Sequence, residues 1–509
     1  MTTHEQKTLL LNNEDNVALA LSEIAQGEST GHDHLVAQEK IPAGHKISVQ
    51  EIDAGQPIVK YGQIIGFASD TIIAGSYVHT HNVDMAEFTR DYAIGSNTRS
   101  IDILPEAEQA TFEGIVRNDG RIATRNYLGI LATVSCSSSV SYYIAEGIGD
   151  QILNDYPNVD GVFALGHGSG CSMAGSSEGL DILQRTIAGY SRHPNFGGIL
   201  LVGLGCEVNY LDCLMENMQL EEGPLLKTAN IQTAGGTRET VRAGIEAVGK
   251  MLPEVNQVSR RNVPAKHIVL GLECGGSDAY SGISANPALG KAVDLLVQNG
   301  GTAILSETPE IYGAEHLLTR RAINPDVARK LIDRIHWWED YTAREGAEIN
   351  NNPSPGNKAG GLTTILEKSL GAVAKGGTTN LIDVYQYGEP VAANGLVFMD
   401  TPGNDVVSIT GMIAGGANMV CFTTGRGTVC GFKPVPTIKL ATNSDMYQRM
   451  QDDMDVNCGA IIDRQATIDE MGETIFKLIL EIASGKQSKS EALGFGDHEF
   501  VPWHIGAIL

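Results

Sequence analysis

The 509-residue chain has no apolar run approaching the ~20 residues of a bilayer-spanning helix, so no transmembrane helix is expected. It also lacks a basic excess. Its 36 Lys and Arg against 61 Asp and Glu leave a formal charge of −25, which opposes binding to nucleic acid or an anionic membrane. The eight cysteines contain no CxxC pair, so reduced thiols in a cytoplasmic setting are expected rather than a disulfide framework. "MTTHEQKTLLLNNEDN" has neither the basic start nor the long apolar stretch of a secretory leader. Aromatic residues make up only 6%, and there is no low-complexity tract or short repeat. What is present is a 42% hydrophobic content, enough for several cores, and 59 glycines that make the chain rich in turns. The length predicts two to four domains.

The pattern along the chain predicts an α/β multidomain protein. Residues 1–90 read as a small β domain of short strands such as "HLVAQEKIPAGHKISV", "PIVKYGQIIGFAS" and "AGSYVHTHNV", punctuated by glycine. Residues 91–110 read as a polar linker. Residues 111–350 alternate apolar strands ("YLGILATVS", "GVFALGHG", "GILLVGLG", "HIVLGLECG") with amphipathic helices. Residues 351–509 repeat that rhythm with "NLIDVYQYG", "GLVFMDTPG" and "NMVCFTTGRG" and close with a helix near 466–484. Near-continuous apolar strands between such helices indicate Rossmann-like α/β sandwich domains with parallel sheets covered on both faces.

Cys136, Cys171, Cys206 and Cys274 each fall at or just past the end of one of these strands. Ligands bind at that edge of an open α/β sheet, so the four thiols are expected on one rim. The competing reading of any one of them is a small buried hydrophobe. "GHGSGC" adds His167 and "GLGCE" adds Glu207; thiolate with imidazole suits iron or zinc. "HTHN" supplies His79 and His81 on alternate positions of a strand, so both could face one ion or simply lie on the surface. "GHGSGC" is too degenerate to be a dinucleotide-binding turn.

Other polar groups sit in glycine-framed loops. "PSPGNKAGG" carries Asn357 and Lys358, "TTGRG" carries Arg426, "PTIKLATNS" carries Lys439 and Asn443, and "DTPGND" carries Asp405. Arg is the usual bidentate partner of a carboxylate. Three cations in separate loops after strands suggest a pocket for a small anionic, hydroxylated molecule. "RNDGRIATRN" adds three arginines that either join the pocket or bridge the domains.

Taken together, "GLECGGSDAYSGISANPALG", "NPSPGNKAGG", "FTTGRGT", "IKLATNS" and "GLGCE" resemble the altronate/galactarate dehydratase family over nearly the whole chain. "HTHN" and "PGND" lean toward its altronate branch, "FEGIVRNDGR" and "LLTRRAINPDV" toward its galactarate branch. The resemblance implies an N-terminal SAF (β-clip) domain ahead of a catalytic body. It further implies a cytoplasmic hydro-lyase acting on a sugar acid with Fe²⁺ or Mn²⁺, an Fe–S cluster being a further form of the iron. The partner expected is a small anionic sugar acid, with a homo-oligomer (dimer) as the assembly. On that reading Cys171, Cys206 and Cys274 hold the metal, with His79 and His81 as the alternative. His167, Asp278 and Lys439 are the catalytic candidates, while Ser277, Asn357, Lys358, Arg426 and Asn443 bind substrate. The alternatives are a related lyase acting on another 2-hydroxy acid such as sulfolactate, a thiol or Fe–S redox protein, and a non-catalytic sugar-acid-binding protein.

Overall fold

Short antiparallel strands open the chain. Thr8–Leu9, Val17–Ala20, Lys46–Ser48 and Tyr77–Val78 form one small sheet, and Pro57–Lys60, Gln63–Ala68 and Val83–Asp84 form another. The computed structural model describes residues 7–32, 35–86 and 90–507; the first six residues, the start of the "HLVAQ" segment and residues 87–89 of the expected β domain lie outside that set.

Two parallel sheets follow. The first contains β1 (Tyr127–Ala132), β2 (Gly161–Leu165), β3 (Phe196–Gly203) and β4 (Leu226–Asn230), in the order β2-β1-β3-β4. The second contains β5 (Val269–Cys274), β6 (Thr302–Leu305), β7 (Leu381–Tyr385), β8 (Gly395–Met399), β9 (Met419–Thr424), β10 (Thr437–Ala441) and β11 (Val456–Asn457). Its order is β7-β8-β6-β5-β9-β10-β11. Every pairing in both sheets is parallel. The unbroken apolar character of "FGGILLVG" and "MVCFTT" matches this: all fourteen residues are buried, because helices cover both faces.

The sheets do not divide where the sequence rhythm suggested. The expected boundary at 350/351 cuts through the seven-stranded sheet, since β5 and β6 pair with β8 and β9 across it. The division lies instead between β4 and β5. Parallel strand order is a non-local property, so a break in local rhythm is a poor guide to it.

The helices that matter are α1 (Glu178–Ser191), α2 (Ala285–Gln298), α3 (Pro355–Ala359), α4 (Ile365–Val373), α5 (Asp405–Ala414) and α6 (Ile468–Ala483). Side-chain oxygens of Ser177, Thr364 and Asn404 accept the first free N–H groups of α1, α4 and α5. α1 and α5 pack between the sheets, where Leu183, Ile187 and Tyr190 share one core with Ile409, Met412 and Ile413. Two arginines of "RNDGRIATRN" are held within the fold: Arg117 donates to the Pro194 carbonyl (2.8 Å) and Asn126 Oδ1 (2.7 Å), whereas Arg121 pairs with the exposed Asp119. Arg125 crosses to Glu491 (2.6 Å) and to the carbonyls of Ile482 and Lys486, tying the first sheet to the end of the chain. Among the described residues no helix is long and apolar enough to cross a membrane.

Candidate active site

In the seven-stranded sheet the strand order reverses at β5, which has β6 on one side and β9 on the other. Crossovers leave in opposite directions there and open a crevice beyond the strand ends. The turn "CGGSD" leaves β5 at this point, and "GRG" leaves β9 beside it. Two N–H groups, of Gly425 and Arg426, donate to the Gly276 carbonyl at 3.1 and 2.9 Å. Gly276 has φ +59°, and a Cβ at Gly275 would stand 2.0 Å from an Asp405 oxygen, so this turn excludes larger residues.

Asp278 is the knot of the junction. Its carboxylate accepts from the Ser281 N–H (2.9 Å) and hydroxyl (3.0 Å), the Thr442 hydroxyl (3.0 Å) and Asn443 Nδ2 (3.1 Å). Burial pushes its pKa up, against the pull of the Thr442 and Ser281 hydrogen bonds. Asn357 completes the capping box that Ser354 opens on α3 and donates from Nδ2 to the Ser277 carbonyl at 2.9 Å. The turn, α3, the β9 loop and the start of "TNS" therefore meet, bringing Ser277, Asp278, Asn357, Lys358, Arg426 and Asn443 into one cluster, with Asn357 and Lys358 on a short helix rather than the expected loop. Arg426 is exposed and Lys358 half-buried. Among the described residues neither side chain is tied up in an ion pair.

Behind the turn lies a buried cluster of charges that sequence reading missed. Lys375 Nζ donates to Cys274 Sγ (3.0 Å) and Glu307 Oε2 (3.3 Å). Lys368 Nζ donates to Glu310 Oε1 (2.6 Å) and Asn352 Oδ1 (2.9 Å). Glu273 and Glu307 are fully buried, and Asp405, at the start of α5, is half-buried. Burial and the neighbouring Glu307 carboxylate push Glu273 well above the usual range, while burial and then Glu310 raise Glu307. Asp405 is pushed up to about 7 by burial and by the Glu307 and Glu310 charges. Burial raises the Cys274 thiol to about 12. Lys375 is held above the ordinary ammonium range; burial opposes its charge, but Cys274 and Glu307 outweigh that. The faint signals were a Glu inside the buried strand "LGLEC" and another ending "TAILSE", each an unexpected charge in an apolar run.

The donor set is suited to a divalent ion. Ligand atoms of Cys274, Glu307 and Glu310 all lie within 4.8 Å of one another, as do those of Glu273, Glu307 and Asp405. Four carboxyl groups and a thiol share only two ammonium groups. Glu273 Oε2 and Glu307 Oε1 are buried without a hydrogen-bond partner, a costly arrangement unless a proton or a cation lies between them. Glu307 also holds φ +68°, a left-handed backbone that a non-glycine residue adopts only where its surroundings over-determine it.

The N-terminal β domain seals the cluster from one side. Lys46 and Lys60 each reach Glu367 of α4 at 2.8 Å, with all three side chains almost wholly buried. Lys46 also donates to the Gly361 carbonyl at 2.7 Å. Tyr61, Cys274, Ser277, Asp278 and Lys368 line a small cavity where that domain meets the turn.

Other residues singled out from the sequence lie elsewhere. Cys136, Cys171 and Cys206 follow β1, β2 and β3 of the four-stranded sheet and are exposed, whereas Cys274 ends a strand of the other sheet and is buried. The four thiols thus do not share one rim, because the strands that carry them belong to different sheets. His167 is held by the backbone on both sides: Nε2 pairs with the Ala132 carbonyl (3.0 Å) and Nδ1 accepts the Ser169 N–H (3.1 Å). Burial lowers its pKa to about 4, which keeps it neutral and leaves neither nitrogen available for proton transfer. Lys439 is fully buried in mid-strand, with Nζ directed at the Val429 carbonyl (3.3 Å). His79 joins His45 and Tyr77 in a ring cluster. Burial and then the Lys46 charge push its pKa down to about 4, and His81 is exposed.

Comparison with known proteins agrees along the whole chain. Residues 6–86 match the altronate/galactarate dehydratase SAF domain. Residues 114–256 match the second domain of D-galactarate dehydratase/altronate hydrolase, and 265–508 the C-terminal domain of D-galactarate/altronate dehydratase. The chain is 37% identical over 480 residues to a galactarate dehydratase (L-threo-forming) of Escherichia coli, covering 93% of this chain and 92% of the relative. It is 35% identical over 489 residues to an altronate dehydratase of Bacillus subtilis, covering 95% and 96%. A (2R)-sulfolactate sulfo-lyase beta subunit of Chromohalobacter salexigens is 29% identical over 402 residues, covering 78% and 98%. With three domain matches in order and such coverage, the chain belongs to the D-galactarate/altronate dehydratase family of hydro-lyases.

Proposed function

We propose that this protein removes water from a hydroxylated sugar acid, of the galactarate or altronate type, at the switch point of its seven-stranded sheet. The observation that carries this reading is the pair of ligand groups sharing Glu307, with unpartnered buried carboxylate oxygens, beside a turn against which Arg426 packs at Gly276. Cys274, Glu307 and Glu310, with Glu273 beside them, would hold a divalent ion, and their mainly oxygen donors suit Fe²⁺ or Mn²⁺. When bound, the ion supplies Lewis-acid charge next to the reacting oxygens.

The chain's own groups do the rest. Arg426 grips the substrate carboxylate, since a guanidinium fork matches that group, and Lys358 adds a second positive charge from α3. Loss of the hydrogen on the adjacent carbon moves a second negative charge onto the same carboxylate, so this grip strengthens as the reaction proceeds. Asp405, with its pKa near 7, suits accepting that proton or passing one to the departing hydroxyl. Asp278, saturated by hydrogen bonds, positions Ser281, Thr442 and Asn443 and does not move a proton. Ser277 faces the cavity beside Cys274, where a sugar hydroxyl would sit. The enol product relaxes to a 2-keto-3-deoxy acid.

The test is 2-keto acid formation by metal-stripped protein reloaded with Fe²⁺, Mn²⁺, Mg²⁺ or Zn²⁺ and offered galactarate, altronate and sulfolactate. Keto acid from a sugar acid, restored best by Fe²⁺ or Mn²⁺, is the expected outcome. Turnover of sulfolactate alone, or of no substrate with any metal, would remove the reading.

A further inference from the structure

The three thiols of the smaller sheet take no part in the chemistry just described, yet their placement is unusual. Cysteine is among the most buried residue types, and Cys274, Cys421 and Cys458 follow that rule. Cys136, Cys171 and Cys206 are all exposed. They follow three adjacent parallel strands, with Leu131 paired to Leu165 and Ala132 to Val202, so the strand ends are level. Neighbouring strands lie about 4.8 Å apart, so the three loops leave the sheet within about 10 Å of one another. This sheet has its own switch point at β1, between β2 and β3, and the thiol loops surround it.

The loops are also fastened together. Ser135 N–H donates to the Ser169 carbonyl at 2.8 Å, and Asn209 N–H to the Gly170 carbonyl at 3.1 Å. Asn209 Nδ2 donates to the Thr133 carbonyl at 2.9 Å. Gly170, at φ +97°, lies where a Cβ would stand 2.5 Å from the Thr133 oxygen, so the loop before Cys171 is pressed onto the loop before Cys136. Glu207 locks the third loop by accepting the N–H groups of Leu204 (3.0 Å) and Gly205 (2.6 Å). Gln232 Nε2 donates to Cys206 Sγ at 3.3 Å.

We infer that Cys136, Cys171 and Cys206 hold an iron–sulfur cluster, distinct from the carboxylate-rich site of the larger sheet. A structural zinc ion needs four protein donors drawn tightly around it. Among the described residues no compact group of ligand atoms includes these thiols. Three thiols on level, fastened loops around one crevice suit the larger cluster, which is bound by cysteine and tuned by hydrogen bonds to sulfur.

The experiment treats the full chain anaerobically with ferrous iron and sulfide, then removes excess reagent and measures visible absorption and acid-labile sulfide. Wild type should retain both. Cys136→Ser, Cys171→Ser and Cys206→Ser should each lose them, while Cys274→Ser keeps the cluster even if it abolishes turnover, which separates this inference from the proposed active site. Alkylation mapped by mass spectrometry gives a second readout that needs no variant: the three thiols should react readily before reconstitution and be protected afterwards. Wild type without sulfide, the three serine variants retaining it, or loss in Cys274→Ser alone would overturn the assignment.

Discussion

The carboxyl edges of the two parallel sheets solve opposite problems with the same architecture. On the four-stranded sheet the edge is open, its polar groups are mostly tied to backbone, and its thiols face outward. On the seven-stranded sheet the N-terminal β domain and α4 close the edge over two lysines, four carboxyl groups and a thiol. The lesson is that burial, not residue type, separates them. A cysteine at a strand end is an accessible thiol on one sheet, while on the other it is a neutral group pushed up to about 12, wedged between an ammonium and two carboxylates.

Removing the lid's electrostatic anchor should break the comparison most severely. Glu367→Gln leaves Lys46 and Lys60 buried without their charge partner. A loss of about 3–5 kcal/mol in unfolding free energy is expected, readable by denaturant titration; an unchanged midpoint would show that the closure does not depend on this pair. Lys375→Met should come next. It deletes a buried cation beside reacting groups, and kcat is expected to fall by about 10²–10³ with the fold intact by circular dichroism. Wild-type turnover in that variant would confine the cluster to a structural role.

Arg426→Ala should cost less, about ten- to a hundred-fold in kcat/KM, the worth of one charge-assisted contact. A fall in kcat as well as a rise in KM is expected if the guanidinium holds charge that builds during proton removal. An unaltered kcat would reduce it to a ground-state anchor.

Asp405 sharpens the contrast through pH. Its folded pKa, near 7, is above the ordinary aspartate value of 3.8. Between these values the folded state binds more proton than the unfolded state. The stability it contributes is therefore full at low pH and lost as pH rises from about 4 to about 7. Asp405→Asn should flatten that slope in a series of melts; an identical slope would place the titration on another group. The smallest effect is expected at His167. His167→Gln keeps a donor for the Ala132 carbonyl, so the pH–rate profile between about pH 5 and 8 should be unchanged. Loss of one limb of the profile would return this histidine to the chemistry.

Much of the fold was legible because it is written locally. Unbroken apolar strands, amphipathic helices and glycine turns announced parallel α/β layers, and glycine-framed "CGGSD" and "TTGRG" marked loops that do converge on one switch point, whereas "GNKAGG", also read as a loop, begins as the short helix α3. His167, just past a strand end, and Lys439, in mid-strand, misled because a basic residue looks the same in sequence whether it faces a ligand or a backbone carbonyl. Glu307 and Lys375 were passed over because nothing near them in sequence hints at a partner.

By itself, then, the sequence determined the class of the layers, the turns that cannot accept a side chain, and the strand ends at which chemistry-bearing residues fall. Only the tertiary structure decided which strands share a sheet, and hence that Cys274 parts company with the other three strand-end thiols. It alone decided which charges are buried together. Lys375 meets Cys274 across 101 positions of chain and Lys46 meets Glu367 across 321. Contacts at that range are set by strand order and domain docking, and the dielectric that shifts their pKa values exists only once the chain has closed around them.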